Sequence, residues 1–144
     1  MENSEAASFI ENLSLKLYGF CQNQLFCDTL ILIENPSFSK KTFWAHSVVL
    51  AAASADLCSE FLTRSDFTAN GHAVRFCLPL PDCDPVAVEV VLRYLYTGKL
   101  VAPMVFHKPK EIAKIFEVCK SLGVPLEKLH GVQLTFSNQS ARIR

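Results

Sequence analysis

Nucleophilic catalysis needs a nucleophile, a base and a place for developing negative charge. The sequence holds the first two side by side, since His46 is followed directly by Ser47. No G-x-S-x-G elbow accompanies them, and five glycines in 144 residues leave no phosphate-cradling loop. A histidine between a strand and a helix is better explained as a buried ring with a backbone partner. The six cysteines, Cys21, Cys27, Cys58, Cys77, Cys83 and Cys119, include no C-x-x-C pair. Each falls on an apolar stripe or in an apolar segment, so core packing is expected rather than a zinc site. Asp82 and Asp84 flank Cys83, but Asp84 stands where a helix cap is wanted. Glu60 and Asp66 are read as solvated, with no spacing that marks them for acid–base work. These residues predict no enzyme, no catalytic residue, no metal and no cofactor.

Composition points the same way. The length fits one domain. Half the residues are hydrophobic and 19% are charged, an apolar excess that a small globule cannot easily hide. Some of it should lie at an interface. With 14 basic and 14 acidic side chains there is no positive surplus for nucleic acid. No run of apolar residues is long enough to span a membrane. The first ten residues carry Glu2 and Glu5 and no signal-like core, so a non-secreted, intracellular protein with reduced thiols is expected.

The positioning elements follow from periodicity. Phe9, Leu13, Leu17 and Phe20 make one helical stripe from Ser8 to about Asn23, widened by Ile10, Leu15, Tyr18 and Cys21. A helix apolar over so much of its circumference needs cover on two sides, its own domain and a partner chain. Thr29–Ile33 reads as a strand buried on both faces, and Lys41–Ala45 as its return after a long connection, Glu34–Lys40. Trp44 packs beside this hairpin. Ser47 and Ser54 are candidate caps for two short helices ending near Arg64. Ala73–Leu78 alternates as a third strand, and Pro79–Pro85 reads as a rigid connector. Asp84-Pro85 opens a helix that Thr97-Gly98 stops. Leu100-Val101 is a short strand, Pro103–Lys108 an irregular loop, and Lys110–Leu122 an amphipathic helix closed by Gly123. From Gly131 the periodicity fades. The fold class is α+β: a cluster of helices flanked by a small mixed sheet.

Three blocks give this pattern a family likeness: Phe26–Ile33, Phe43–Ser54 and Val90–Leu100. Read in order as "F-C-D-strand", "F-W-A-H-S-V-V-L-A-A-A-S" and "V-V-L-R-Y-L-Y-T-G-K-L", they resemble a BTB/POZ domain. The likeness covers about residues 8 to 130, leaving a flexible N-terminus over 1–7 and a tail or linker over 131–144. It implies an N-terminal dimerisation helix, with Phe9, Ile10, Leu13, Leu17 and Tyr18 expected at a homodimer interface. Asp28 and Ser47 would lie in a pocket near the dimer axis. His46, Leu50, Tyr94, Tyr96 and Gly98 would be structural.

The "Q-x-x-x-F-C-D" lead-in at Gln22–Asp28 resembles the zinc-finger transcription-factor branch, which carries its domain at the N-terminus. That branch implies a nuclear regulator and homodimer, with other BTB domains and corepressors as further partners and DNA binding left to fingers elsewhere. Members of the branch commonly place a basic residue where Ser47 stands, so Asp28 is expected to lack its usual partner. A swapped N-terminal strand is not expected from the short polar segment 1–7. The alternative branch is the cullin ubiquitin-ligase substrate adaptor. Its hydrophobic-x-Glu motif finds no glutamate between Phe61 and Pro85.

Overall fold

Thr29, Ile31 and Ile33 alternate onto one side of a strand, and all three are fully buried. This strand, β1 (Thr29–Asn35), is the middle of a three-stranded sheet in the computed structural model, which describes residues 4–35, 39–63, 74–80, 83–125 and 134–137. Before it comes α1 (Ser4–Gln22). After it come β2 (Ser39–Ala45), α2 (Ser47–Ala53), α3 (Ala55–Thr63), β3 (Phe76–Leu80) and α4 (Pro85–Thr97). The chain then forms β4 (Leu100–Pro103), a 3-10 turn (Met104–His107), α5 (Pro109–Leu122) and β5 (Leu134–Ser137). β2 runs antiparallel to β1 from Asn35 opposite Ser39 to Thr29 opposite Ala45. β3 runs parallel on the other side, Thr29 opposite Phe76 to Ile33 opposite Leu80. A separate parallel pair joins β4 and β5.

The core is built around α4. Ala87, Val88 and Val91 are fully buried, and Val90, Leu92 and Tyr96 nearly so, because α1, α2, α5 and β4 all pack on this helix. Its ends are set locally. Asp84 Oδ1 accepts from Val86 N–H at 2.9 Å, with Pro85 in the first turn, and Gly98 closes the helix at φ 76° with its N–H on Tyr94 O. Ser54 does cap α3: its Oγ accepts from Leu57 N–H (3.1 Å) and donates to Gly123 O (3.1 Å), tying the start of α3 to the end of α5.

Several elements differ from expectation. The hairpin ladder continues to Asn35 and Ser39, so the connection is 36–38 rather than Glu34–Lys40. β3 runs on through Pro79, which a ladder tolerates only at an edge, where no outward N–H is needed. Met104–His107 winds as a 3-10 turn around buried Phe106 instead of an irregular loop. α1 begins at Ser4, within the segment expected to be flexible. Residues 134–137 form β5 because β4 offers them a strand to pair with, where fading periodicity suggested a tail. Ser47 opens α2 but is not its cap; that position is His46, with no side-chain cap bond.

Candidate interaction surface

α1 is divided along its length. Residues 4–13 are all exposed, whereas Leu17, Tyr18 and Cys21 turn inward onto α4 and β2. The inward set recurs at helical spacing, so the C-terminal half anchors the helix. The N-terminal half carries Phe9 (67% exposed), Ile10 (60%) and Leu13 (48%), with Leu15 also open. An exposed ion pair, Glu11 Oε2 to Lys99 Nζ at 2.7 Å, ties it to the rest of the chain. That lysine holds the Glu11 carboxyl below its usual range. An exposed pair of this kind stabilises little.

Of the five residues expected at the dimer interface, Phe9, Ile10 and Leu13 stand free and Leu17 is half-buried against the core. Tyr18 does not stand with them. It is buried in its own chain, its ring 5.8 Å from that of Tyr96, with the Arg93 guanidinium 5.9 Å from its centroid. Burial, helped by the Glu89 charge, pushes its hydroxyl up to about 12.

The corner between β2 and α2 is hydrogen-bonded throughout. His46 Nδ1 lies 2.7 Å from Tyr96 Oη and Nε2 lies 2.9 Å from Leu25 O. A carbonyl can only accept, so Nε2 carries the proton toward Leu25 and Nδ1 accepts from Tyr96. The same Tyr96 oxygen accepts from His46 N–H at 2.9 Å. The two bonds hold the ring as a brace between Tyr96 and the segment before β1.

Asp28 is not left without a partner. Its Oδ1 accepts from Ser47 N–H (2.7 Å) and from Thr29 Oγ1 (3.1 Å), and its Oδ2 accepts from Ser47 Oγ (2.6 Å). Its backbone bridges β2 and the residues leading into β3, with Asp28 N–H on Ala45 O and Asp28 O accepting from Arg75 and Phe76.

Sequence reasoning missed other exposed apolar residues. Val48 on α2 is 74% exposed, and Phe26 is 81% exposed at φ 61°, its ring edge-on to Phe20. Nothing in the local sequence marks the left-handed backbone of Phe26. The buried thiols are held against ionisation: burial pushes Cys27 and Cys119 up to about 11 and raises Cys21. No group of three metal-ligating side chains occurs among the described residues, and no described helix is long and apolar enough to cross a membrane.

A sequence model of the BTB/POZ domain matches residues 17–130. The chain belongs to the BTB/POZ family. Domains of this family are protein–protein interaction modules, which agrees with a surface of exposed apolar side chains. This BTB domain is 37% identical over 101 residues to the influenza virus NS1A-binding protein homolog of Xenopus laevis, covering 69% of the chain and 14% of that protein. It is 32% identical over 119 residues to the homolog from Mus musculus, covering 82% of the chain and 16% of that protein. The BTB domain thus spans under a fifth of the length of these relatives. The solved BTB domain of zebrafish PATZ1 superimposes with a TM-score of 0.54 at 20% identity, over 90% of this chain and 88% of that one. That likeness speaks for the fold. Within it, Leu50 is fully buried, and half-buried Tyr94 lines a cavity of about 180 Å³ with Ala53, Leu95, Gly98 and Val124.

Proposed function

We propose that this BTB domain is the self-association module of a longer protein and forms a homodimer through the N-terminal half of α1. The observation that carries the reading is the run of exposed residues 4–13 with Phe9, Ile10 and Leu13 among them. Ten exposed helical residues, held to the rest of the chain by an exposed ion pair, are marginal in water. A second copy of the same helix, related by a two-fold axis, gives each half the packing it lacks. The experiment is the mass of the purified domain in solution, by light scattering or sedimentation. A dimer at micromolar concentration supports the reading, and a homogeneous folded monomer there overturns it.

The finer reading is a nuclear transcriptional regulator of the zinc-finger branch that pairs with itself or other BTB domains and recruits corepressors. Its support is the resemblance at Gln22–Asp28 together with the order of the three sequence blocks. DNA contact would belong to segments outside this chain, whose net charge is zero. The adaptor reading also has an observation behind it. Met104 and Val105 on the 3-10 turn and Phe116 on α5 are exposed, on two elements that pack against each other rather than on α1. A dimer made through α1 leaves that apolar surface for a different protein, and purified cullin is the probe. Direct binding at tens of micromolar selects the adaptor; its absence selects the regulator.

A further inference from the structure

The two outer edges of the three-stranded sheet are finished differently. In one row of the ladder Thr42, Leu32 and Pro79 lie side by side. Pro79 has no N–H, so the β3 edge is closed to strand addition at that row. The β2 edge has no such block, and among the described residues no strand pairs with it.

Backbone direction along β2 can be read from its bonds. Ala45 O faces β1, where it accepts from Asp28 N–H, and Trp44 O faces away, where it accepts from Cys21 Sγ at 2.9 Å. Residues two apart in an antiparallel strand turn their N–H and C=O the same way. Thr42 therefore presents both groups outward, while the outward carbonyl of Trp44 is already capped by α1. Beside this stretch lies a cavity of about 330 Å³. Four consecutive β2 residues, Lys41 to Trp44, line it. Neighbouring strand residues point to opposite faces, so a cavity touching all four runs along the strand's edge. Tyr18, Cys21, Gln22 and Gln24 supply one wall, and Glu89 and Leu92 of α4 another.

We propose that this groove receives an extended peptide segment of a partner protein, added as a further strand at Thr42. The segment places one side chain in the cavity and one acidic residue across from Lys41. A strand added to a free edge gains affinity from main-chain bonds and selectivity from side-chain pockets. Opposite charges facing each other across strands add to it. Lys41 supplies the positive charge at the mouth, and Glu89 on the opposite wall disfavours a second acid. This surface is separate from the exposed half of α1, and its occupancy does not depend on the dimer.

The test uses a library of roughly ten-residue peptides displayed on phage and selected on the purified domain, with synthetic copies of the winners measured by fluorescence polarisation. The expected winners share one acid at a fixed position. Thr42→Pro removes the outward N–H without removing a bond to β1 and should weaken them about tenfold or more, while the mass of the domain in solution stays the same. Lys41→Glu should move the preference several-fold toward a peptide with lysine in place of its acid, and this swap decides alone if Thr42→Pro does not fold. Failure to select peptides, or equal binding to both variants, overturns the proposal. So does a larger assembly of the unliganded domain that Thr42→Pro breaks, since that gives the edge to a second copy. The α1 dimer is read from mass alone, so its failure and that of the groove are told apart.

Discussion

Ser47 donates two hydrogen bonds to the carboxylate of Asp28, one from its backbone N–H at 2.7 Å and one from its hydroxyl at 2.6 Å. The first satisfies an otherwise orphan donor at the start of α2, and the negative charge sits well at a helix N-terminus. A residue just before β1 thereby caps a helix that begins nineteen positions later, doing for α2 what Asp84 does locally for α4. Asp28→Ala should cost about 1–2 kcal/mol, the usual worth of a cap. Ser47→Ala keeps the N–H bond and should cost less. The double variant should cost less than the sum, because both changes remove the same hydroxyl–carboxylate bond. Urea unfolding of the four proteins checks this, and strict additivity would refute the shared bond.

Much of this arrangement is legible in sequence wherever one local rule decides. Asp84-Pro85, the Ser54 cap and the glycines after α4 and α5 are such places, and the structure follows them. The Ser47–Asp28 bond is not legible, because the expected partner was a cation and a short hydroxyl does the work through a backbone turn. The same limit explains Tyr18. Its helical spacing allows either face of α1, and the choice is made by Tyr96, which comes from α4. β5 is hidden for a related reason: its four residues are a strand only because β4 runs beside them. At α1 the sequence identified an excess of apolar surface, and the structure divides it between an anchored half and a free one.

The second prediction concerns the brace at His46. Tyr96→Phe removes an oxygen that accepts from His46 N–H and bonds Nδ1, in a nearly buried site. Two polar groups would then be left unpaired, at about 1–3 kcal/mol each. The expected loss in ΔG of unfolding is therefore larger than one hydrogen bond's net worth. Unchanged stability in urea would mean that water or another side chain takes the place of the hydroxyl.

A third prediction follows from the thiols. Cys27 and Cys119 have ordinary values near 9.0 and are pushed up to about 11 by burial. A raised value in the folded state means the unfolded chain loses its thiol protons first. The stabilisation is fully present below about pH 9 and is lost as pH rises through about 11. Cys119, fully buried, should contribute on the order of 2 kcal/mol to this loss. Denaturant unfolding from pH 8 to 11 should show the decline, and Cys119→Ala should flatten part of it. In native protein at pH 8, alkylation followed by mass spectrometry should find Cys58 and Cys77, which are partly exposed, modified before the four buried cysteines.

The last prediction separates the two halves of α1. Ile10→Glu and Leu13→Glu place a charge on residues about half or more exposed in their own chain, so they disturb little within it. In a dimer made through this face they bury an unpaired carboxylate on each side of the two-fold axis, which costs far more than the apolar area lost. Both variants should therefore run as monomers while the rest of the fold still unfolds cooperatively. Their loss of helical signal should be confined to about the ten exposed residues of the N-terminal half. Tyr18→Ala should do the reverse. Removing a buried ring costs about 3–5 kcal/mol of folding free energy, while the apolar face of Phe9, Ile10 and Leu13 is left intact. Sedimentation and urea unfolding on the three variants distinguish the outcomes. If Ile10→Glu and Leu13→Glu stay dimeric, α1 is not the seam, and the exposed Val48 and Phe26 become the surfaces to substitute next.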